Sequence, residues 1–211
     1  MSFTEPPRDC DLCPRLRQFL LDLREEHPDW HNAPVPSFGD PKAKLLIIGL
    51  APGMHGANRT GRPFTGDWAG DLLYSAIAAH GFSDGTYDAR ADDGLTLNGA
   101  MITNAVRCLP PQNKPVGAEA AACRPFLTDQ IESMRTVKAI LTLGKISHDS
   151  TVRALGLRLK DYPFGHHKVY ELEGDRRIFS SYHCSRYNTN TKRLTEEMFF
   201  EVFAAIKKYL N

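Results

Sequence analysis

Lys44-Leu45-Leu46-Ile47-Ile48-Gly49-Leu50, running into Ala51-Pro52-Gly53, sets the architecture expected of this chain. The apolar run is short, shows no polar alternation and is closed by glycine and proline. That combination reads as a strand buried on both faces of a parallel sheet. Met101-Ile102-Thr103-Asn104-Ala105-Val106 and Ala139-Ile140-Leu141-Thr142-Leu143-Gly144 repeat the pattern, and VYEL (from Val169) and RIFSSYH (ending at His183) supply one or two further strands.

Helical periodicity fills the gaps between these strands. Leu16, Phe19, Leu20 and Leu23 recur on one face after Pro14, a good first-turn residue, so a helix is expected from about Pro14 to Glu26, closing near His27-Pro28. A proline-rich connection, HPDWHNAPVPSFGDPKA, joins it to the first strand. Leu72, Leu73, Ala76 and Ile77 mark a second helix, Cys123–Met134 a third and Ser147–Leu155 a fourth. Thr195–Leu210 is the last, with Thr195 as N-cap and Glu196-Glu197 in its acidic first turn. Alternating strands and helices predict a single α/β domain over residues 1–211, three α/β/α layers around a mostly parallel sheet. Ligands of such sheets bind beyond the carboxyl ends of the strands, and the unusual segments after Leu50, Thr103 and Tyr182 all fall at that edge.

Composition narrows the function classes. The chain has 211 residues, 42% of them hydrophobic, enough for one sizeable core. A formal net charge of +1 excludes a globally basic protein, so any nucleic-acid contact must come from a local patch. No run of eighteen apolar residues occurs, and MSFTEPPRDCDLCP lacks a basic start followed by an apolar stretch. A cytoplasmic protein with no membrane partner is the expectation, and in that compartment five cysteines point to buried thiols, a reactive thiol or metal ligation, not disulfides.

Cys10 and Cys13 form a CxxC before Pro14, Cys108 closes a strand segment, and Cys123 follows fifteen positions later. Zinc and an iron-sulfur cluster both take four thiolates, and spacing does not separate them. The widely split second pair is less typical of zinc ribbons; four ordinary buried cysteines are the remaining alternative. Cys184 stands apart.

Gly49-Leu50-Ala51-Pro52-Gly53 continues through Met54-His55-Gly56-Ala57-Asn58-Arg59-Thr60-Gly61-Arg62 to Pro63-Phe64-Thr65-Gly66-Asp67. Neither GxGxxG nor GxxxxGK[ST] is present. The glycines let backbone approach a flat ligand, and Phe64 offers a ring to stack on it. Together with TNAVRCLPPQNKP and a histidine-led segment, these residues resemble the uracil-DNA glycosylase superfamily, from Cys10 to about Thr195. The resemblance is nearest to family 5, the B type. Family 4 usually has Glu at the position of Leu50, and family 1 has a water-activating Asp at the position of Ala51.

The resemblance implies a [4Fe-4S] cluster on Cys10, Cys13, Cys108 and Cys123, and a monomeric, monofunctional glycosylase that hydrolyses uracil from DNA to leave an abasic site. The family's tolerance of hypoxanthine and xanthine extends the expected substrates to other deaminated bases. It also implies roles. Gly49, Ala51, Gly53, Phe64 and Asn104 would bind the base, Phe64 by stacking and Asn104 through the donor and acceptor of its amide. His183 would stabilise charge on the departing base, and Asp67 would orient the attacking water, with Asp71 as the second candidate and helix capping as the plain structural role of Asp67. Where the family has proline after the histidine, this chain has Cys184, which could loosen the His183 loop. Arg59, Arg62, Arg186, Tyr187, Asn188 and Lys192, with Arg193, form the expected DNA-contacting patch, whose binding should weaken with salt. Two other readings remain open at this level: a non-catalytic nucleic-acid-binding module with a structural four-cysteine metal site, and the covalent uracil-trapping branch. The basic insert of that branch is missing between Phe64 and Trp68.

Overall fold

The computed structural model describes residues 3–211. Its main sheet has six strands: β1 (Phe38–Gly39), β2 (Leu45–Gly49), β5 (Ala100–Asn104), β6 (Ala139–Leu143), β7 (Val169–Leu172) and β8 (Arg176–Ser181), in the order β1-β5-β2-β6-β8-β7. The four central strands run parallel, and β1 and β7 pair antiparallel at the two edges. β3 (Ser83–Asp84) and β4 (Thr96–Leu97) form a separate small ribbon.

Strand alternation explains why the central runs carry no polar face. Leu45, Ile47, Ile102, Leu141 and Phe179 point to one side, where they meet Leu73, Tyr74 and Ile77 of α3 (Trp68–Ala79) and Phe199, Val202, Phe203 and Ile206 of α7 (Glu196–Leu210). Leu46, Ile48, Met101 and Ile140 point to the other, against Leu127 and Ile131 of α4 (Gly117–Ser133) and Ala154 of α5 (Lys145–Ala154). With both faces covered, the central strands are mainly apolar, and buried polar side chains such as Thr103, Thr142 and Ser180 hydrogen-bond to neighbours, which yields three layers around one sheet. The short helices α2 (Ala57–Thr60) and α6 (Arg186–Asn190) lie in the connections after β2 and β8.

Most expected elements match within a residue or two: α1 spans Pro14–Glu26, and Thr195 Oγ1 accepts the Met198 amide at the start of α7. Two differ. α4 begins at Gly117, six residues before the expected Cys123, because an alanine-rich turn continues it and the Glu119 carboxylate accepts the Val116 amide at 2.8 Å. VYEL and RIFSSYH are two strands of a hairpin, registered Val169 to Phe179, and the second returns parallel to β6.

The chain leaves β2 toward β5 on one side and then crosses to β6 on the other, so β2 stands at the point where the winding reverses. The register sets Gly49 beside Asn104 and Leu143 beside Ser181, bringing the ends of four parallel strands to one edge.

Candidate active site

A cleft of about 590 Å³ opens at that edge, lined by Leu50, Ala51, Gly53, Phe64, Asp67, Asn104 and His183. The segments singled out after β2, β5 and β8 therefore share one cavity, and the turn after β6, Leu143-Gly144-Lys145, completes it.

Phe64 and Asn104 meet across Gly49. A Cβ on Gly49 would collide with both the Asn104 carboxamide and the Phe64 ring, so only glycine lets them approach over the strand end. Gly49 itself is buried and, against the expectation of a base-binding role, does not line the cleft. Phe64 has φ +54°, a left-handed backbone that costs a non-glycine residue about 1–3 kcal/mol. Its ring is nearly buried and lies 5.9 Å from the His183 ring, 27° from parallel. Asn104 is 3% exposed, yet its Oδ1 has no hydrogen-bond partner among the described residues.

Asp67 occupies the N-cap position of α3, but its side chain accepts no capping hydrogen bond of normal geometry. It turns back against the Gly53–Gly56 loop, where a Cβ on Gly53 would stand 2.7 Å from its Oδ2 and one on Gly56 would clash outright. Its Oδ1 is buried without a partner among the described residues. Burial pushes the Asp67 pKa above its usual value; the nearby Gly70 and Ala69 amides oppose the rise, and Asp71 adds to it. Asp71 is exposed one helical turn on and lies outside the cleft lining.

His183 follows β8. It is part-buried and lines the cleft, and burial brings its pKa down to about 4. The imidazole is therefore neutral at pH 7 and bonds no described residue through its ring. Its carbonyl accepts Asn188 Nδ2 at 2.8 Å, and its Cβ packs against Gly144. Cys184 is fully buried, its Sγ 3.4 Å from the Ala69 carbonyl oxygen, so at the position where the resemblance suggests looseness the loop is anchored to the start of α3.

The rim combines cations with apolar surface. Arg186 stacks over Trp68 at 5.0 Å, and Trp68 Nε1 donates to Thr189 Oγ1, while Tyr187 is 72% exposed. Arg59 and Lys192 are exposed nearby but outside the cleft lining, and Asn188 is engaged with His183. Arg62 departs from expectation. It is 5% exposed, forms a bidentate pair with Asp93 at 2.7 and 2.6 Å, donates to Thr65 Oγ1 and stacks on Phe38, Tyr74 and Tyr87. A guanidinium so enclosed cannot reach phosphate; it braces the turn that carries Phe64.

On the far side of β5, Cys10, Cys13, Cys108 and Cys123 line one small cavity, and all are free thiols. No three His, Cys, Asp or Glu side chains among the described residues are placed to hold a single metal ion. Burial, reinforced by repulsion from Cys123, pushes Cys13 up to about 11, and burial raises Cys108 and Cys123 as well. The Arg107 amide donates to Cys123 Sγ at 3.4 Å, while its fully buried guanidinium donates to Glu5, Ser37 and Gln130.

A family model described as the uracil DNA glycosylase superfamily matches residues 36–207. A type-5 uracil-DNA glycosylase of Thermus thermophilus is 42% identical, over 98% of this chain and 96% of the relative. The chain belongs to the uracil DNA glycosylase superfamily. A type-5 enzyme of Mycobacterium bovis is 39% identical over 94% of this chain and 77% of its own. A type-4 enzyme of Saccharolobus solfataricus is 33% identical over 82% and 76%. The type-5 resemblance drawn from Leu50 and Ala51 agrees with these identities, and in this superfamily member both side chains line the cleft.

Sequence reasoning missed Trp68, Lys145, Ile146, Phe164 and Tyr182 in the lining. Lys145-Ile146 follows a strand end and could have been found by that rule alone. Phe164 lies in a loop remote from every motif and carried no signal.

Proposed function

We propose that this protein, with residues 1–211 as one functional domain, hydrolyses uracil and other deaminated bases from DNA and leaves an abasic site. The observation that carries the reading is the pair of unpartnered buried oxygens, Asn104 Oδ1 and Asp67 Oδ1, in one cleft beside the Phe64 ring and a neutral imidazole. Each such atom costs about 1–3 kcal/mol until a ligand meets it.

In this mechanism a base turned out of the duplex stacks on Phe64 and offers its Watson-Crick edge to the Asn104 amide. As the bond from the sugar carbon to the base nitrogen breaks, the electron pair leaves with the base and charge collects on a carbonyl oxygen. Neutral His183 carries one ring N–H and donates it to that oxygen in a site with little water. The ionised Asp67 carboxylate steadies the cationic sugar and orients a water, whose oxygen bonds the sugar carbon while its proton passes to the carboxylate. Leu50 and Ala51 put no polar group against the base, which supports acceptance of hypoxanthine and xanthine beside uracil. Arg186, Arg59 and Lys192, with Tyr187 and Arg193, meet the DNA around the cleft.

The four cysteines that line one cavity would hold the [4Fe-4S] cluster that the type-5 likeness suggests. Bound there, such a cluster supplies a covalent cross-link between the segment before α1, the end of β5 and α4. Cysteines that must stay reduced to hold such a cluster support a cytoplasmic protein. No helix among the described residues is long and apolar enough to cross a membrane.

The test is base release by purified wild-type protein from duplexes carrying uracil, hypoxanthine or xanthine. Release of all three is expected. Uracil-only release would remove the breadth, and duplex binding without any release would favour the non-catalytic module.

A further inference from the structure

Behind the Phe64 turn stands a side chain that no motif marked. Tyr87, in the loop between β3 and β4, places its hydroxyl 3.3 Å from the Phe64 carbonyl oxygen, to which it donates, and 3.3 Å from the Gly66 nitrogen, from which it accepts. One hydroxyl thus closes a bridge across Thr65, joining the two residues on either side of it. Those two residues hold the left-handed backbone of the turn, φ +54° at Phe64 and +87° at Gly66.

The ring is fixed as firmly as the hydroxyl. It stacks on Tyr74 with centroids 4.4 Å apart, and the Arg62 guanidinium lies 5.8 Å above it. Burial raises the phenol pKa to about 12, so the donor to Phe64 is present at every working pH. Gly70 in the first turn of α3 completes the fit, since a Cβ there would run into the Phe64 carbonyl and stand 2.6 Å from the Tyr87 hydroxyl.

We infer that Tyr87 is a positioning residue: its hydroxyl holds the Phe64–Gly66 turn in its left-handed form and so sets both the base-stacking ring and, one residue further on, the Asp67 carboxylate. The inference rests on the proposed base-release reading for its kinetic consequence, but the conformational part stands apart from it. Tyr74, whose hydroxyl donates to the Pro63 carbonyl at 2.7 Å, holds the preceding residue; the Tyr87 hydroxyl bonds at both left-handed positions.

The experiment is Tyr87→Phe, which keeps the stacked ring and deletes the bridge. Three quantities are read on the full-length protein: amide hydrogen exchange at Gly66, the single-turnover rate of uracil release, and affinity for a uracil-free duplex. Exchange at Gly66 should accelerate while the amides of β2 and β6 keep their protection. Release should slow about 10- to 100-fold, the scale of a small misplacement of catalytic groups. Affinity for the uracil-free duplex should stay within about twofold, because the rim cations are untouched. Unchanged Gly66 exchange overturns the bridge itself. Faster exchange with an unaltered rate overturns the positioning role, and equal losses of duplex affinity and rate would reduce Tyr87 to general support of the fold. Should wild-type protein release no base, the function reading falls, while the Gly66 exchange still decides whether the bridge exists. Gly70→Ala perturbs the same carbonyl from the other side and should slow release with Tyr87 intact; a wild-type rate in that variant also counts against the inference.

Discussion

Two polar centres flank β5, and they are built on opposite terms. The fully buried Arg107 guanidinium reaches Glu5 and Gln130 at 2.7 Å and Ser37 at 3.0 Å, and Gln130 and Thr103 tie Ser37 in turn. Across the strand end, Asn104 and Asp67 each leave a buried oxygen without a partner among the described residues, and His183 bonds none of them through its ring. Buried polarity that is fully paired holds a structure together, whereas buried polarity left open in a cleft is a place prepared for something else. The arginine hub braces the cysteine cavity and the amino-terminal segment. The cleft keeps its unpaired groups for a substrate.

The largest effect that would sharpen this contrast is expected from Asp67→Asn. The substitution removes a carboxylate that burial makes costly, so base release should fall by about 10²- to 10⁴-fold while the melting temperature holds or rises. Single-turnover rates beside thermal unfolding scans check both halves, and a retained rate or a fall in both would break the contrast. Arg107→Met should do the reverse. It strands Glu5 and Gln130, so a loss of about 3 kcal/mol is expected, toward the low end for a buried pair because Glu5 is part-exposed. For a chain of this size that is a drop in melting temperature of roughly 6–12 °C. The protein that remains folded should release base at a rate near wild type.

A smaller effect appears on titration. With the folded pKa of His183 near 4 and an unfolded value of about 6.5, the unfolded chain binds more protons between these limits. His183 therefore contributes no penalty above pH 6.5 and destabilises the fold as the pH drops toward 4. A His183→Gln variant should flatten the melting temperature over that window. Activity should show no step at the ordinary histidine pKa. Its acid limb belongs to Asp67, whose raised pKa removes the needed carboxylate earlier than an exposed aspartate would. A rate profile with a step near pH 6.5 that vanishes in His183→Gln would contradict the neutral donor.

Much of this was legible in the residues, for definable reasons. KLLIIGL, ITNAV and AILTLG announce buried parallel strands because they are short, mainly apolar runs without polar alternation, as strands covered on both faces must be. Pro14 and His27-Pro28 bracket α1. What escaped depends on partners distant in the chain. Arg62 looks like a surface cation until Asp93, thirty-one residues on, is seen to close on it. The glycines at 53 and 56 suggest a ligand loop, and it takes the fold to reveal that Asp67 fills the space they leave. The early start of α4 was hidden because Gly117-Ala118-Glu119-Ala120-Ala121-Ala122 has helix propensity without apolar periodicity. Tyr87 lay in a loop with no signal at all.

The most direct trial of the central claim is a resonance titration of labelled protein with a duplex carrying one non-cleavable 2′-fluoro-2′-deoxyuridine. Signals from the Phe64 ring, the Asn104 side-chain amide and the His183 ring should move together and saturate at one duplex per protein, while a thymine duplex shifts only the rim around Arg186 and Tyr187. Movement at the rim alone with the uracil analogue, or independent saturation of the three groups, would contradict a single slot that receives the everted base.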